Sequence, residues 1–217
     1  MDYFLELFFG GLTRGSIYAL IALGYTMVYG IIELINFAHG EIYMIGAFTA
    51  LIVASVCSLM GMGGWPLLVL AGLVAIIYSA AYGYTLEKIA YKPLRGAPRL
   101  SPLISAIGMS IFLQNYVLLA QTSDFLSFPS LIDEFPFMED VTYMRSSELV
   151  IFLTTAVCTA GLTVYIKFTR MGKAMRAVAQ DKTMAMLLGI NVNRVISVTF
   201  IIGSALAAVG GVLISSH

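Results

Sequence analysis

Long stretches without a charged side chain divide the sequence into hydrophobic segments separated by short polar connections. These uncharged runs cover 15–32, 42–86, 100–123, 149–166 and 195–217. Since a membrane-spanning helix needs roughly 20 apolar residues, the second run is long enough for two crossings. Gly61, Gly63, Gly64 and Pro66 interrupt that run near its middle and predict a turn there. The pattern therefore predicts six spanning helices, at about 10–32, 41–60, 65–87, 101–122, 148–167 and 195–217.

The composition supports a bilayer as the surrounding solvent. Hydrophobic residues make up 59% of the chain and charged residues only 11%, with a mean hydropathy of +0.91. Soluble domains carry about 25% charged residues, so a soluble fold of this size could not cover so much apolar surface. We expect an all-α, polytopic transmembrane helical bundle. The formal net charge is zero, and no basic stretch interleaved with aromatic residues suggests nucleic-acid binding.

The distribution of basic residues predicts the orientation in the membrane. The connections after the third and fifth predicted helices hold ten of the twelve basic residues, namely Lys88, Lys92, Arg95, Arg99, Lys167, Arg170, Lys173, Arg176, Lys182 and Arg194. The connection after the fourth helix is acidic instead, and it contains the segment FLSFPSLIDEFPFMED. Because basic connections stay in the cytoplasm, both basic loops face inward, and the acidic loop and the N-terminus face outward. The connection around 33–41 then lies inside, although it has no Lys or Arg of its own.

Sequence signals for cleavage, metal binding and nucleotide binding are lacking. The opening MDYFLELFFG has no basic region and no small-residue cleavage site, so we expect no cleaved signal peptide. Cys57 and Cys158 each lie inside an apolar run and are expected to be packing residues. With only two histidines and no GxxxxGK[ST] loop, we expect no metal site, no cofactor and no nucleotide bound by this chain.

The segment KFTRMGKAMRAVAQDKTMAMLLGINVNRV, which connects two predicted spans, favours a short amphipathic helix under the membrane. From Gly172 to Leu188 it has no proline and is rich in Ala, Met, Lys and Arg, which form helices well. Gly189 provides a C-terminal stop, and Lys173, Arg176 and Asp181 fall mostly outside the apolar side. Two interpretations remain open: the helix rests on lipid, or it is seated in a groove of a cytoplasmic partner.

The most polar cluster of the chain lies between two hydrophobic stretches, in INFAHGEIYMIGAF, with Glu33 just before it. In one interpretation the cluster is a turn at the inner interface, where Asn36 caps the second helix and the carboxylates reach water. In a second, the first span ends early and a broken or re-entrant segment lines a water-filled path, so that Asn36, His39 and Glu41 contribute to the path or its inner gate. A metal or catalytic role is the third, but His39 and Glu41 are only two residues apart and no further ligand is evident.

Small residues recur at intervals of four in the last predicted helix. Gly203, Ala207 and Gly211 form this stripe, which allows two helix backbones to approach closely. We expect it to be a helix-packing face, either static or a sliding contact between gate helices.

Three segments resemble one family, the branched-chain amino acid permeases of the LivH type. They are GLTRGSIYALIALGYTMVYGIIELINFAHGEIYMIGAF, GKAMRAVAQDKTMAMLLGI and IIGSALAAVGGVL, and the resemblance extends over essentially the whole chain. It implies a single transmembrane permease domain over 1–217, with a cytoplasmic coupling helix at 170–190 that includes Gly172, Lys173, Arg176, Asp181 and Gly189. Members of the family continue beyond the third segment, so a C-terminal part is expected to be missing here.

The resemblance also implies an ATP-driven ABC importer in a bacterial or archaeal cytoplasmic membrane. Such an importer would contain a second permease subunit, two cytoplasmic ATPase subunits that hydrolyse the ATP, and an extracytoplasmic substrate-binding protein at the acidic outer face. This chain would then be a transport subunit and not an enzyme. The alternatives are a permease for urea or short amides, whose sequences look alike, and an ATP-independent channel for small solutes. An intramembrane enzyme is disfavoured because the chain contains no GxSxG or HExxH motif.

Overall fold

The computed structural model describes residues 2–98, 100–121, 128 and 145–216, and this part of the chain is helical throughout with short connections. Its α-helices are α1 (Asp2–Ile32), α2 (His39–Leu59), α3 (Gly64–Leu86), α4 (Leu100–Ala120), α5 (Ser146–Phe168), α6 (Arg170–Gln180), α7 (Lys182–Leu187) and α8 (Val192–Ser215). After α3 the chain continues as a π-helical turn (Glu87–Tyr91) and a 3-10 turn (Lys92–Leu94). The acidic outer connection lies largely outside the described residues.

Six of these helices, all except α6 and α7, are long and apolar enough to cross a membrane. The prediction of an all-α bundle with six spans is therefore confirmed. One boundary differs clearly: α1 begins at Asp2, whereas the sequence predicts a start near residue 10. Glu6 and Arg14 point outward from this helix, so their charges reach solvent or headgroups without interrupting it.

Helix α8 forms the centre of the bundle, and α1, α2 and α3 surround it. The main core contains Val28 of α1, Ile42 of α2 and Phe200 of α8, joined by Met175 and Val178 of α6. Helix α4 packs chiefly against α2 and the π-helical turn, and α5 packs chiefly against α1 and α6. The α6–α7 segment therefore packs against α1 and α8, and Arg95 and Asn193 join the connection after α3 to the same end of the bundle, which holds both basic connections.

Candidate functional site

The connection between α1 and α2 turns back into the bundle. Glu33 follows α1 with a left-handed backbone (φ 63°), and α2 begins at His39, whose ring lies beside Gly24. Gly24 precedes the end of α1 by eight residues, which corresponds to about 12 Å along the helix axis. The second helix therefore starts inside the bundle, beside a middle turn of the first and not beside its last residue. The same end of the bundle carries the basic connections, so this connection, which has no Lys or Arg, lies on the basic side.

Asn36 is buried and bonds to the end of the third helix. Its Oδ1 accepts a hydrogen bond of 3.1 Å from Tyr91 Oη, and the Tyr91 ring packs on Phe200 at a centroid distance of 5.1 Å. The cap position of α2 is taken by Ala38, with no side-chain cap bond. The interpretation in which Asn36 caps α2 is therefore wrong, because its side chain is already used by Tyr91.

His39 is also buried, but it faces α1. Its Nε2 lies 3.3 Å from the carbonyl oxygen of Ile21, and its ring meets Tyr25 edge-on at 5.8 Å. A side chain at position 24 would contact the imidazole at 3.2 Å and the Gly203 oxygen at 2.7 Å. The absence of a side chain at Gly24 is thus what allows His39 to lie against α1.

Glu41 points in a third direction, toward α4. Its Oε1 accepts a hydrogen bond of 3.0 Å from Ser110 Oγ. The three residues predicted to act together are therefore divided among three helix contacts, and they do not converge on one cavity. Within the described ranges, no group of three or more His, Cys, Asp or Glu side chains is placed to share a metal ion.

The corner between α5 and α6 is tightly closed. Thr169 caps α6 by accepting a bond of 3.0 Å from the Gly172 amide, and Arg176 Nη1 donates to the carbonyl oxygens of Ile166 (3.0 Å) and Lys167 (3.3 Å). A Cβ at Gly172 would lie 2.4 Å from the Ile166 oxygen. Gly172 therefore permits the close approach, and Arg176 satisfies carbonyls that the end of α5 would otherwise leave free.

The predicted coupling helix is interrupted at Asp181, so it consists of α6 and α7 instead of one continuous helix. The Asp181 carboxylate accepts bonds of 2.8 and 2.9 Å from the amides of Thr183 and Met184 and thereby begins a new helix. Gly189 ends α7 with φ 82°, and its amide bonds to the Met186 oxygen while that of Ile190 bonds to the Ala185 oxygen. This is a Schellman C-cap, whose left-handed position suits glycine.

The outward side of α7 carries exposed apolar side chains. They are Met184 (55% exposed), Met186 (55%), Leu187 (77%) and Leu188 (75%). Lys173 on α6 is exposed as well, whereas Gly172, Met175 and Val178 turn inward to the bundle. The segment is therefore amphipathic in two parts: α6 holds it to the protein and α7 presents an apolar surface.

Two groups of polar contacts that sequence reasoning missed join α7 and α8 to the ends of α1 and α3. Lys182 Nζ donates to the Ile32 carbonyl oxygen (3.2 Å) and lies 3.7 Å from Glu33 Oε1. Glu87 is fully buried in an ion pair with Arg95 and also accepts a bond of 2.8 Å from Ser197 Oγ. Arg95 donates in addition to Asn193 Oδ1.

Beside these contacts lies an open pocket of about 650 Å³. Ile32 at the end of α1 and Glu33 just after it line one side, and Arg95, Lys182 and Asn193 line the other sides. The sequence signal that could have drawn attention to it is Glu87, an acid at the end of the longest uncharged run with an arginine eight residues later.

The small residues of α8 lie against other helix backbones. A Cβ at Gly203 would be 3.0 Å from the Gly24 oxygen, and one at Gly211 would be 2.6 Å from the Tyr43 oxygen. Ala207, between them, is fully buried. Position 203 thus faces α1 and position 211 faces α2.

A family model described as branched-chain amino acid transport system / permease component matches residues 7–217. The chain belongs to this permease family. The membership expected from the sequence is thereby confirmed, and the protein is a multi-pass membrane protein of the transport-permease class.

Curated relatives of the permease support its membership of this family. The high-affinity branched-chain amino acid transport system permease protein LivH of Escherichia coli K12 is 51% identical over 98% of this chain and 70% of its own length. The BraD permease protein of Pseudomonas aeruginosa is 51% identical, over 98% of this chain and 71% of its own length. A probable LivH of Methanocaldococcus jannaschii is 26% identical over 94% of this chain and 64% of its own length. No solved structure matches this permease.

The relatives are longer than this chain, in agreement with the expectation that family members continue beyond its last segment. Their names concern amino acids, so the alternatives of a urea or amide permease and of an ATP-independent channel are not favoured.

Proposed function

We propose that this permease is a membrane-spanning subunit of an ATP-driven importer for branched-chain amino acids. The substrate class follows from the identity to LivH and BraD over nearly the whole chain. The coupling to ATP rests on one structural observation, the apolar surface of α7. Four large side chains are exposed there at the basic end of the bundle, which the positive-inside rule assigns to the cytoplasm.

The α6–α7 segment is the proposed contact for a cytoplasmic ATPase subunit. Methionine and leucine side chains on a short helix suit a groove of a partner, and methionines repack easily when that partner moves. Lys173 and the exposed face of α7 make the contact. Gly172, Arg176, Asp181 and Gly189 act from within the chain, because they fix where α6 and α7 begin and end.

The proposed complex contains this subunit, a second permease, two ATPases and an extracytoplasmic binding protein, in the cytoplasmic membrane of a bacterium or archaeon. The N-terminus of this subunit lies outside. ATP binding and hydrolysis move α6–α7, and the contacts of Lys182 with α1 and of Arg95 with α8 pass that movement to the spanning helices.

Of the three residues predicted to form the path or its gate, we assign Glu41 to the path. We assign Asn36 and His39 to the structure that supports the path. Asn36 and His39 are buried, and their polar atoms bond to Tyr91 and to the Ile21 carbonyl. They hold the connection between α1 and α2 in place. Glu41 is only partly buried and lies in the first turn of α2.

The docking proposal is tested with Leu187→Asp, co-expressed with the two ATPases of the same transport system. We expect the ATPases to be lost from the purified complex, because a charge on this face cannot be seated in an apolar groove. Leu59→Asp is the control. Leu59 has the same size and is 90% exposed, but it lies at the end of α2 that is away from α7. Full retention of the ATPases by the Leu187→Asp protein would instead assign this face to lipid.

The orientation is tested with single cysteines in a protein in which Cys57 and Cys158 are replaced by serine. An impermeant thiol reagent should label Met62→Cys in intact cells, and Lys173→Cys only after the membrane is opened. Labelling of Lys173→Cys from outside would invert the topology and remove the basis for cytoplasmic docking.

A further inference from the structure

A band of polar side chains follows the seam where α2, α3 and α4 meet. We call this band the α2–α4 seam and define it by Glu41, Thr49, Tyr78, Tyr82, Ser110 and Tyr116. At its inner end Ser110 Oγ bonds to Glu41 at 3.0 Å. Further along, Thr49 and the three tyrosines surround a narrow cleft, where Tyr78 Oη and Tyr82 Oη are 3.4 Å apart.

The seam lies within the membrane and not at its outer surface. Helix α2 has 21 residues and measures about 30 Å, so it spans the hydrocarbon core by itself. Glu41 is two residues from the inner end of this helix, and Thr49 is ten residues from either end. Along α2 the polar band therefore runs from the first turn to the middle of the helix, and along α4 it runs from the middle, at Ser110, to Tyr116, four residues before that helix ends.

Polar groups at this depth need water, protein or a substrate as a partner. A carboxylate within the hydrocarbon core is costly, and tyrosines that face lipid normally lie at the interface. Tyr78 and Tyr116 are nonetheless 44% exposed, and Glu41 and Ser110 are only partly buried. The remainder of the exposed surface of α4 is mostly apolar, with Ile104, Ile107, Ile111 and Phe112 facing outward. The polarity is thus concentrated along the seam.

We propose that the α2–α4 seam lines part of the substrate path and takes neutral zwitterionic amino acids. This inference rests on the proposed function. The Glu41 carboxylate pairs with the ammonium group of a substrate at one end of the seam. The tyrosine hydroxyls donate to the carboxylate of a substrate further along, because Thr49 lies eight residues, about 12 Å, beyond Glu41 and its own hydroxyl already donates to the Ile45 oxygen (2.7 Å). Ile45 and Phe48 line the same cleft and offer apolar contacts to an aliphatic side chain.

The path is closed in this conformation. The cleft has a volume of only about 40 Å³, close to the space of one water molecule. Helix α4 packs chiefly against α2 and the π-helical turn after α3, so a shift of this one helix opens the seam along its length. The Glu41–Ser110 bond joins the two helices that must separate, and it breaks when the substrate takes over the carboxylate.

Cysteine accessibility in the complete transporter tests this proposal independently of the transport rate. In the protein without Cys57 and Cys158, Ser110→Cys and Thr49→Cys are compared with Ile111→Cys and Ile52→Cys on the same two helices. Both control positions are exposed away from the seam (55% and 42%). The assembled transporter is held in inside-out vesicles, and the probe is a small, water-soluble, cationic thiol reagent.

We expect the reagent to modify both seam cysteines during turnover with ATP, to leave both controls unmodified, and to react more slowly when leucine is present. Equal reactivity of seam and control positions, or seam reactivity that leucine leaves unchanged, would overturn the proposal. ATP-dependent release of leucine that was loaded into the same vesicles together with the binding protein is measured in parallel. Without release the proposed function itself fails, whereas release with unreactive seam cysteines rejects only the seam.

A second measurement uses the charge of Glu41. Glu41→Gln keeps the shape and the bond to Ser110 but loses the pairing with an ammonium group, so uptake of leucine below saturation should fall about tenfold or more. Tyr82→Phe should also lower uptake, while its neighbour Tyr84→Phe, outside the seam on the same helix, should not. Unchanged uptake by Glu41→Gln at a normal membrane level would contradict a role of the carboxylate in the path.

Discussion

Helices α5 and α8 are almost equally hydrophobic, yet they have opposite surroundings. Their most apolar stretches have hydropathy values of 2.1 and 2.2, but 6% of the residues in that stretch are buried in α5 and 67% in α8. Helix α8 is therefore enclosed by other helices of the chain, whereas α5 turns most of its surface outward. Hydropathy reports that both helices avoid water, and it does not distinguish lipid from protein as the alternative.

The difference lies in residue size. Helix α8 places small residues at its contacts, so that backbones of α1 and α2 come within 2.6–3.0 Å of the Cβ positions of Gly203 and Gly211. Helix α5 exposes Leu153, Val157 and Phe168 instead, and its Gly161 has no described atom within 4 Å of a Cβ. The spanning helix with a stripe of small residues, α8, is thus the one that the other helices of the chain surround. The surface of α5 remains available to lipid or to a second permease.

The largest expected effect is that of Gly211→Leu compared with Gly161→Leu. The first change introduces a side chain where even a Cβ would lie 2.6 Å from the Tyr43 carbonyl oxygen, so α2 and α8 must separate. We expect little folded Gly211→Leu protein, and a wild-type amount of Gly161→Leu, by size-exclusion chromatography in detergent. Ala207→Leu should behave like Gly211→Leu, because Ala207 is fully buried. Similar yields for the two glycine variants would show that α8 is not enclosed as described.

An intermediate effect is expected from two buried acids. Glu87→Ala leaves Arg95 without its partner and removes a link to the first turns of α8, which should cost about 3 kcal/mol, the lower end for breaking a buried pair. Glu148→Ala in α5 removes a local bond to the Arg145 amide, the side-chain bond that Glu148 makes among the described residues, and should cost about 1 kcal/mol. Thermal midpoints of the two purified proteins measure the difference. A larger loss for Glu148→Ala would mean that α5 is held more firmly than α8.

The smallest effect is expected for two threonines. Thr199→Val in α8 removes a hydrogen bond of 2.8 Å to the Val195 oxygen at a fully buried site, and should cost about 1 kcal/mol. The buried Thr155 hydroxyl in α5 has no hydrogen-bond partner among the described residues, so Thr155→Val should be neutral or slightly stabilising. The same thermal measurement separates them, and a destabilised Thr155→Val protein would reveal a partner for that hydroxyl.

The six spans could be predicted from the sequence because uncharged runs of the required length are a property of each segment alone. The close contacts of Gly203 and Gly211 were also signalled locally, by the spacing of small residues. The bond between Glu87 and Ser197 could not be predicted, because it joins positions 110 residues apart.

The break at Asp181 was missed for a different reason. The segment contains good helix formers on both sides, and its propensity favours one continuous helix. The carboxylate outweighs this preference by accepting bonds from two amides that follow it. Asn36, His39 and Glu41 were grouped because they are close in sequence, but the turn into α2 directs them to three different helices.

The corner at Gly172 has a mechanical consequence. The Gly172 amide and the Arg176 guanidinium are both bonded at the C-terminal end of α5. The angle between α5 and α6 is therefore rigidly held. A displacement of the short helix α6 therefore tilts the long helix α5 with it. Among the six described spanning helices, α5 also has the lowest share of buried residues, so it can tilt without disrupting the centre of the bundle.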